Sequence, residues 1–169
     1  MRHEKFHYNS IEQIYSEQDK LGISFPLSDD TSVLKQPAEF CGVISPNRLA
    51  IQPMEGCDGT ADGAPGELTI RRYHRFALGG AGIIWWEATA VVPEGRANPR
   101  QLMITEQNVD EFKSLVEETR NIAIKETGRN PVMILQLTHS GRYSKPEGKP
   151  APLIARNNPI FEKDNLIDK

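Results

Sequence analysis

The sequence predicts an α/β fold in which parallel strands alternate with helices, and three observations carry that prediction. Three apolar runs, Leu49–Met54, Ala81–Trp86 and Val132–Leu135, are each too short for a typical core helix, and turn-forming residues flank them, as strands are usually bounded. Each run passes at its C-terminal end straight into hydrogen-bonding residues. Between the runs lie stretches with helical spacing and helix-capping residues, and the strand ends near Pro53, Ala88 and Gln136 stand 35 and then 48 residues apart. That separation accommodates a loop and a crossover helix in each unit, as a parallel sheet requires.

Taken in order, Ser10 and Gln13 form a capping-box pair, Ile11, Ile14, Tyr15 and Leu21 recur on one face, and Gly22 stops a first short helix. Residues 23–46, broken by Pro26, Pro37 and Pro46, are expected to form a cap of extended segments and turns rather than a domain of their own. The first strand leads into the glycine-rich loop Glu55–Gly63. That loop lacks both the Gly-Lys-Ser/Thr ending of a phosphate loop and the Gly-x-Gly-x-x-Gly of a dinucleotide fold, so its glycines are read as permitting turns beside a ligand. Leu68–Leu78 reads as a helix with Leu68, Tyr73, Phe76 and Ala77 available for its inner face and Gly79-Gly80 as its stop. Asn108 with Glu111 opens another by the same capping logic, and Val109, Phe112, Leu115, Val116 and Ala123 keep a helical spacing as far as Gly128.

A chain of 169 residues is long enough for one sizeable core. Its net charge of −3, with acidic and basic residues interspersed, leaves no electrostatic footprint for nucleic acid or an anionic membrane. No apolar run approaches the length of a membrane span, and Met1–Lys5 leads into no apolar signal segment, so the cytoplasm is the expected location. Cys41 and Cys57 are the only cysteines. They make neither a disulfide framework nor a zinc site, and no metal is expected.

In parallel α/β architectures ligands gather at the carboxyl ends of the strands, which places function at the three apolar-to-polar transitions. Gln136 is the most informative residue there. A neutral amide offers donors and an acceptor on one planar end, so it can meet a ligand edge that presents both a carbonyl oxygen and an N–H, such as the pyrimidine edge of a flavin. A Gln ending a strand can equally satisfy the loop backbone around it.

Four motifs, in the right order and at plausible spacing, resemble the Old Yellow Enzyme family: Asn47-Arg48-Leu49-Ala50-Ile51-Gln52-Pro53-Met54, the stretch from Gly79-Gly80-Ala81-Gly82 through Trp85-Trp86-Glu87-Ala88-Thr89, Glu94-Gly95-Arg96, and Gln136-Leu137-Thr138-His139-Ser140-Gly141-Arg142. The resemblance covers roughly residues 40–155. It implies an FMN-dependent NAD(P)H oxidoreductase on a (β/α)8 TIM barrel, of which this chain carries the N-terminal portion, about three βα units. Residues 1–46 would then be an N-terminal helix and extended cap, and residues 47–169 a partial FMN-binding barrel domain. Pro53, Met54 and Glu55 would lie along the flavin ring and present backbone groups to its polar edge. Ala88 would sit beneath the ring, where a small side chain admits close approach, and Gln136 would bind the pyrimidine edge. No catalytic residue is assigned. The family's substrate-binding histidine pair comes from a later strand, and His139 belongs with Arg142 to the loop after the third strand.

The departures from the family also carry expectations. Members often place Thr or Cys where Glu55 stands, and some place Tyr where Cys57 stands. A carboxylate beside a flavin opposes the negative charge that the ring gains on reduction unless it is protonated or paired, so a different redox poise or substrate range is expected. The alternative is that Glu55 turns away to hold its loop. Cys57 is read as a small apolar residue rather than a reactive thiol, and Trp85 and Trp86 as core and helix-packing residues.

Function by resemblance is therefore hydride transfer from NAD(P)H through FMN to an activated alkene or related acceptor, with a small-molecule substrate and self-association among the partners considered. The competing expectation is a shortened, non-enzymatic relative that binds a partner through uncovered barrel surfaces. Another phosphate-binding barrel enzyme would give no reason for Ala88 and Gln136 to occur together. Three strands cannot close a barrel that needs about 200–250 residues, so the chain by itself is expected neither to hold FMN firmly nor to transfer hydride.

Overall fold

A computed structural model describes residues 5–161. The chain divides into two compact units, Met1–Thr31 and Ser32–Lys169. The first holds helix α1 (Ile11–Leu21). Ser10 caps it by accepting the Gln13 N–H on its Oγ at 3.4 Å, while Gln13 reaches back one residue further than a capping box does, to the Asn9 N–H at 2.8 Å. Gly22 closes the helix in the left-handed conformation at φ +62°, where a residue without Cβ meets no steric penalty.

The second unit opens with a 3-10 turn, Ser32–Lys35, and an antiparallel hairpin of β1 (Ala38–Phe40) and β2 (Val43–Ser45). Cys41 and Gly42 join the strands with φ of +49° and +74°, the double positive φ that matches the twist of a tight hairpin. These are the extended segments and turns expected between residues 23 and 46.

Three parallel strands with two intervening helices follow the expected order. Strands β3 (Ala50–Ile51), β4 (Ile83–Trp85) and β6 (Val132–Ile134) form a parallel sheet in that spatial order, with helix α2 (Glu67–Leu78) between the first two and α3 (Val109–Thr127) before the third. The strands are shorter than the apolar runs. At the first, Pro53 has no N–H to continue a ladder, and Met54 turns back to donate to the Gln52 carbonyl at 2.8 Å. A second parallel pair, β5 (Thr89–Ala90) with β7 (Leu137–Thr138), extends the second and third strands beyond a break.

The sheet register sorts the apolar side chains by parity. Ile51, Ile84 and Met133 lie side by side and pack with Tyr73 of α2, Phe112 and Leu115 of α3, Leu102 and Trp86 in the core. Ile83, Trp85, Val132 and Ile134 occupy the opposite face. Trp85, expected in the core, is 41% exposed there, whereas Trp86 is fully buried with its ring stacked on Tyr73 at 4.1 Å.

The helices begin and end near the expected positions but not always for the expected reason. Helix α2 buries Thr69, Tyr73 and Ala77, a strict four-residue repeat, so Leu68 falls off that face and is half exposed. Helix α3 buries Phe112, Leu115, Thr119 and Ala123 and stops at Gly128 with φ +69°. Asn108 does not cap α3 with its side chain. Its amide is spent on the preceding loop instead, accepting the Thr105 N–H at 2.8 Å and donating to the Met103 carbonyl at 2.9 Å.

Candidate functional site

The carboxyl ends of β3, β4 and β6 lie on one edge of the sheet, so Pro53–Glu55, Ala88 and Gln136 are brought together there. Backbone and side-chain bonds connect them. Thr89 N–H donates to the Gln136 carbonyl at 2.8 Å. The Gln101 amide, buried in the loop after β5, donates from Nε2 both to the Ala88 carbonyl at 3.0 Å and to Glu55 Oε1 at 3.3 Å.

A break in the second strand decides which residue points where. Trp85 stands opposite Ile134, but Thr89 stands opposite Leu137, so the second strand carries one residue more than the third between the two sets of pairs. An extra residue of this kind is a bulge, and it re-aims the side chains that follow. Trp86 and Glu87 consequently both meet Tyr73 of α2: Trp86 by ring stacking, and Glu87 through its backbone N–H, which donates to the Tyr73 hydroxyl at 2.9 Å. Unbroken alternation would have placed the Glu87 carboxylate on the side opposite Trp86. The bulge puts it under the helix and leaves the small Ala88, 8% exposed, to follow it at the strand end.

Glu87 is 1% exposed and well supplied with partners. Its Oε1 meets Arg72 Nη2 at 2.9 Å and the Tyr73 hydroxyl at 3.4 Å, and its Oε2 accepts the Gly56 N–H at 2.9 Å. Burial raises its pKa above the usual carboxylate range, against the lowering effect of the Gly56 N–H and the Arg72 charge. Glu55 is raised as well, first by partial burial of its carboxyl and then by the charge of Glu87. Burial also pushes the Cys57 thiol up, helped by the charges of Glu55 and Glu87, while Asn98 Nδ2 at 3.3 Å from the sulfur opposes the shift. A thiol so placed is a poor source of thiolate.

Gln136 differs from these neighbours. It is half-buried, and among the described residues its side-chain amide makes no hydrogen bond, although its backbone carbonyl is paired with Thr89. Local satisfaction of loop backbone, the plainer reading of a Gln at this position, does not occur. His139 is occupied locally, its Nδ1 accepting the Gly141 N–H at 3.0 Å. Arg96 is nearly buried and donates to the carbonyls of Ala61, Pro99 and Gln101, which fixes two site loops against each other. No described helix is long and apolar enough to cross a membrane, and no described cluster of His, Cys, Asp or Glu is arranged to hold a metal.

Glu87, Arg72 and Gln101 received no role from sequence reasoning. A Glu set directly after two tryptophans in an apolar run signals a buried charge, since such groups are seldom buried without a partner. Neither Arg72 nor Gln101 carries a local signal of that kind.

No family profile matches the chain. Among curated proteins it is 33% identical over 126 residues to the NADPH dehydrogenase of Geobacillus sp. (strain WCH70), covering 70% of this chain and 33% of that protein. It is 32% identical over 130 residues to the NADPH dehydrogenase of Halalkalibacterium halodurans, covering 75% and 35%. Among solved structures it is similar to morphinone reductase in complex with tetrahydroNAD, at 27% identity and TM-score 0.55 over 66% of this chain and 28% of that one. The Old Yellow Enzyme from Pichia sp. AKU4542 shares the fold, with TM-score 0.57 at 24% identity over 70% of this chain and 29% of that one. The chain spans about a third of the length of the curated relatives it matches. Over that span, the sequence motifs, the relatives and the fold agree in what they resemble, the Old Yellow Enzyme family.

Proposed function

We propose that Pro53–Glu55, Ala88 and Gln136 form one edge of an FMN site in an oxidoreductase that takes hydride from NAD(P)H and delivers it to an activated alkene or related acceptor. The observation that carries this reading is the uncommitted Gln136 amide at an edge where the Glu55 and Glu87 side chains are both engaged. A half-buried amide with both donor and acceptor free suits a ligand edge offering the complementary pair. The bulge supports it, because a small residue at the end of the second strand leaves room for a flat ring that a carboxylate there would fill and charge. FMN, when bound, supplies the hydride chemistry. The chain's own residues orient it: Gln136 by its amide, Pro53–Glu55 by their backbone groups, and Ala88 by leaving space.

In this reading the three parallel strands are about three units of an eight-stranded barrel, residues 47–169 belong to the barrel domain, and residues 1–46 precede it. Ile83, Trp85, Val132 and Ile134 would then face the barrel interior. The described strands leave that face open, so the 169-residue chain should bind FMN weakly and oxidise no NAD(P)H. The test is an FMN titration of the purified chain, sized by light scattering and followed by backbone amide chemical shifts. Shifts confined to Met54, Glu55, Ala88 and Gln136 and their neighbours are expected. Perturbations elsewhere, or none at millimolar FMN, would remove these residues from a flavin site and favour the non-enzymatic, partner-binding alternative.

A further inference from the structure

We propose that Glu87 and Arg72 are positioning residues: they hold the Met54 carbonyl and the Gly56 N–H of the loop after β3 in place before any ligand arrives. The proposal rests on the flavin reading above and extends it to two residues that would not touch the ligand. The loop needs such support. Gly56 and Gly59 lend it conformational freedom, and Cys57 sits at φ +51°, an uncommon conformation for a residue with a side chain.

Arg72, on α2, meets three acceptors with one guanidinium. Its Nη1 donates to the Met54 carbonyl at 3.2 Å, and its Nη2 reaches Asp58 Oδ1 at 2.8 Å and Glu87 Oε1 at 2.9 Å. Glu87 completes the circuit by accepting the Gly56 N–H on its other oxygen. Thr69, one turn earlier on α2, adds a bond to Asp58 Oδ1 at 2.6 Å. The loop is thus fixed at Met54, Gly56 and Asp58 from a single helix and from the bulged residue of the second strand.

Two features show how closely the parts are matched. A Cβ at Gly56 would collide with the Arg72 guanidinium, so the glycine makes room for the clamp as well as for a turn. A planar fork with donors on both terminal nitrogens is what three acceptors on two segments require, and a lysine ammonium cannot span them. Ala88 follows Glu87 directly, and Gln101 ties the Ala88 carbonyl to Glu55. A displacement at Glu87 therefore reaches both segments proposed to face the flavin.

The test compares Glu87→Ala, Glu87→Gln and Arg72→Lys in the 169-residue chain, at a temperature where thermal unfolding shows each variant folded. Two quantities are read: hydrogen exchange at the Gly56 amide without ligand, and the apparent FMN Kd from amide shifts. Glu87→Ala should lose Gly56 protection and raise the Kd roughly tenfold, the effect of losing a hydrogen bond to a charged group. Glu87→Gln fills the same space with one acceptor oxygen: turned to Gly56 it restores that bond but sets its NH2 against Arg72, so it should recover Gly56 protection and only part of the affinity. Arg72→Lys should release the Met54 carbonyl and raise the Kd several-fold while Gly56 stays protected. FMN-dependent shifts that persist at the parental Kd in Glu87→Ala and Arg72→Lys would overturn this inference alone, as would equal weakening by Ala and Gln at Glu87. Should Glu87→Ala not fold, Arg72→Lys decides the matter by itself. Absence of FMN-dependent shifts in the parent would overturn the flavin reading and this inference with it.

Discussion

Trp85 and Trp86 are consecutive in sequence, yet one is 41% exposed and the other is fully buried against Tyr73. The strand pleat separates them onto opposite faces of the sheet. On the Trp86 face, α2 and α3 complete a core with Ile51, Ile84 and Met133. On the Trp85 face, Ile83, Val132 and Ile134 form an apolar surface that is only partly covered. The contrast shows where the stability of the sheet comes from in this chain: it comes from the helix side, while the other face holds apolar area that adds little until something covers it.

The sharpest way to break that contrast is to truncate each tryptophan in turn. Trp86→Ala should cost about 3–5 kcal/mol, as truncation of a fully buried aromatic does. Trp85→Ala should cost clearly less than Trp86→Ala, because a side chain 41% exposed has less contact to lose and leaves no closed cavity when truncated. Urea unfolding of both variants gives the comparison directly. A loss at Trp85 as large as that at Trp86 would mean that the second face is covered in solution, and light scattering would then show whether a second copy covers it.

The two faces were only partly separable by reading the sequence. Three short apolar runs ending in polar residues were enough to place three parallel strands with their carboxyl ends on one edge, because length and flanking residues are local signals. The glycine stops at Gly22 and Gly128 were legible for the same reason, each taking a left-handed conformation that favours glycine. An apolar run of uniform hydrophobicity carries no alternation, so nothing in Ile83-Ile84-Trp85-Trp86 says which tryptophan is inside. The bulge after Trp86 was equally hidden, since it is defined by pairing with a strand some fifty residues away. Asn108 was misread because a capping residue can bond forward or backward, and loop geometry, not sequence, chose the loop. The clamp on the Met54–Asp58 loop joins α2 to two strand ends and leaves no pattern in any short window.

The same contrast extends to the polar residues. Glu87, packed under α2, has every carboxylate oxygen engaged, whereas the Gln136 amide, two residues beyond Ile134, has no partner among the described residues. Gln136→Ala should therefore leave folding nearly unchanged and weaken FMN binding by about 1–3 kcal/mol, the cost of a lost hydrogen bond at a buried ligand edge. Unfolding curves and an FMN titration on the same variant separate the two effects. A stability loss with unchanged FMN affinity would assign Gln136 to the fold and not to the site.

The smallest expected effect belongs to Glu55, which stands between the two sides. Its carboxylate accepts from Gln101, whose amide also holds Ala88, yet burial and the charge of Glu87 raise its pKa above that of an ordinary glutamate. A carboxyl raised in the folded state binds its proton more tightly there than in the unfolded chain. Its contribution to stability is therefore fully present below about pH 4.5 and is withdrawn as pH rises through the higher folded-state value. Glu87 shifts in the same direction, so the pH dependence of the parent contains both groups, and the difference between parent and Glu55→Gln isolates one. Glu55→Gln should match the parent in acid and become the more stable of the two towards neutrality. The flavin supplies an independent reading of the same charge. If the Glu55 carboxylate faces the ring, removing it should raise the FMN midpoint potential at neutral pH, because negative charge nearby opposes the charge gained on reduction. That shift should shrink in acid, where Glu55 is already neutral in the parent. A stability difference without any change in potential would leave Glu55 as a tether between Gln101 and its own loop, and the carboxylate would then turn away from the flavin.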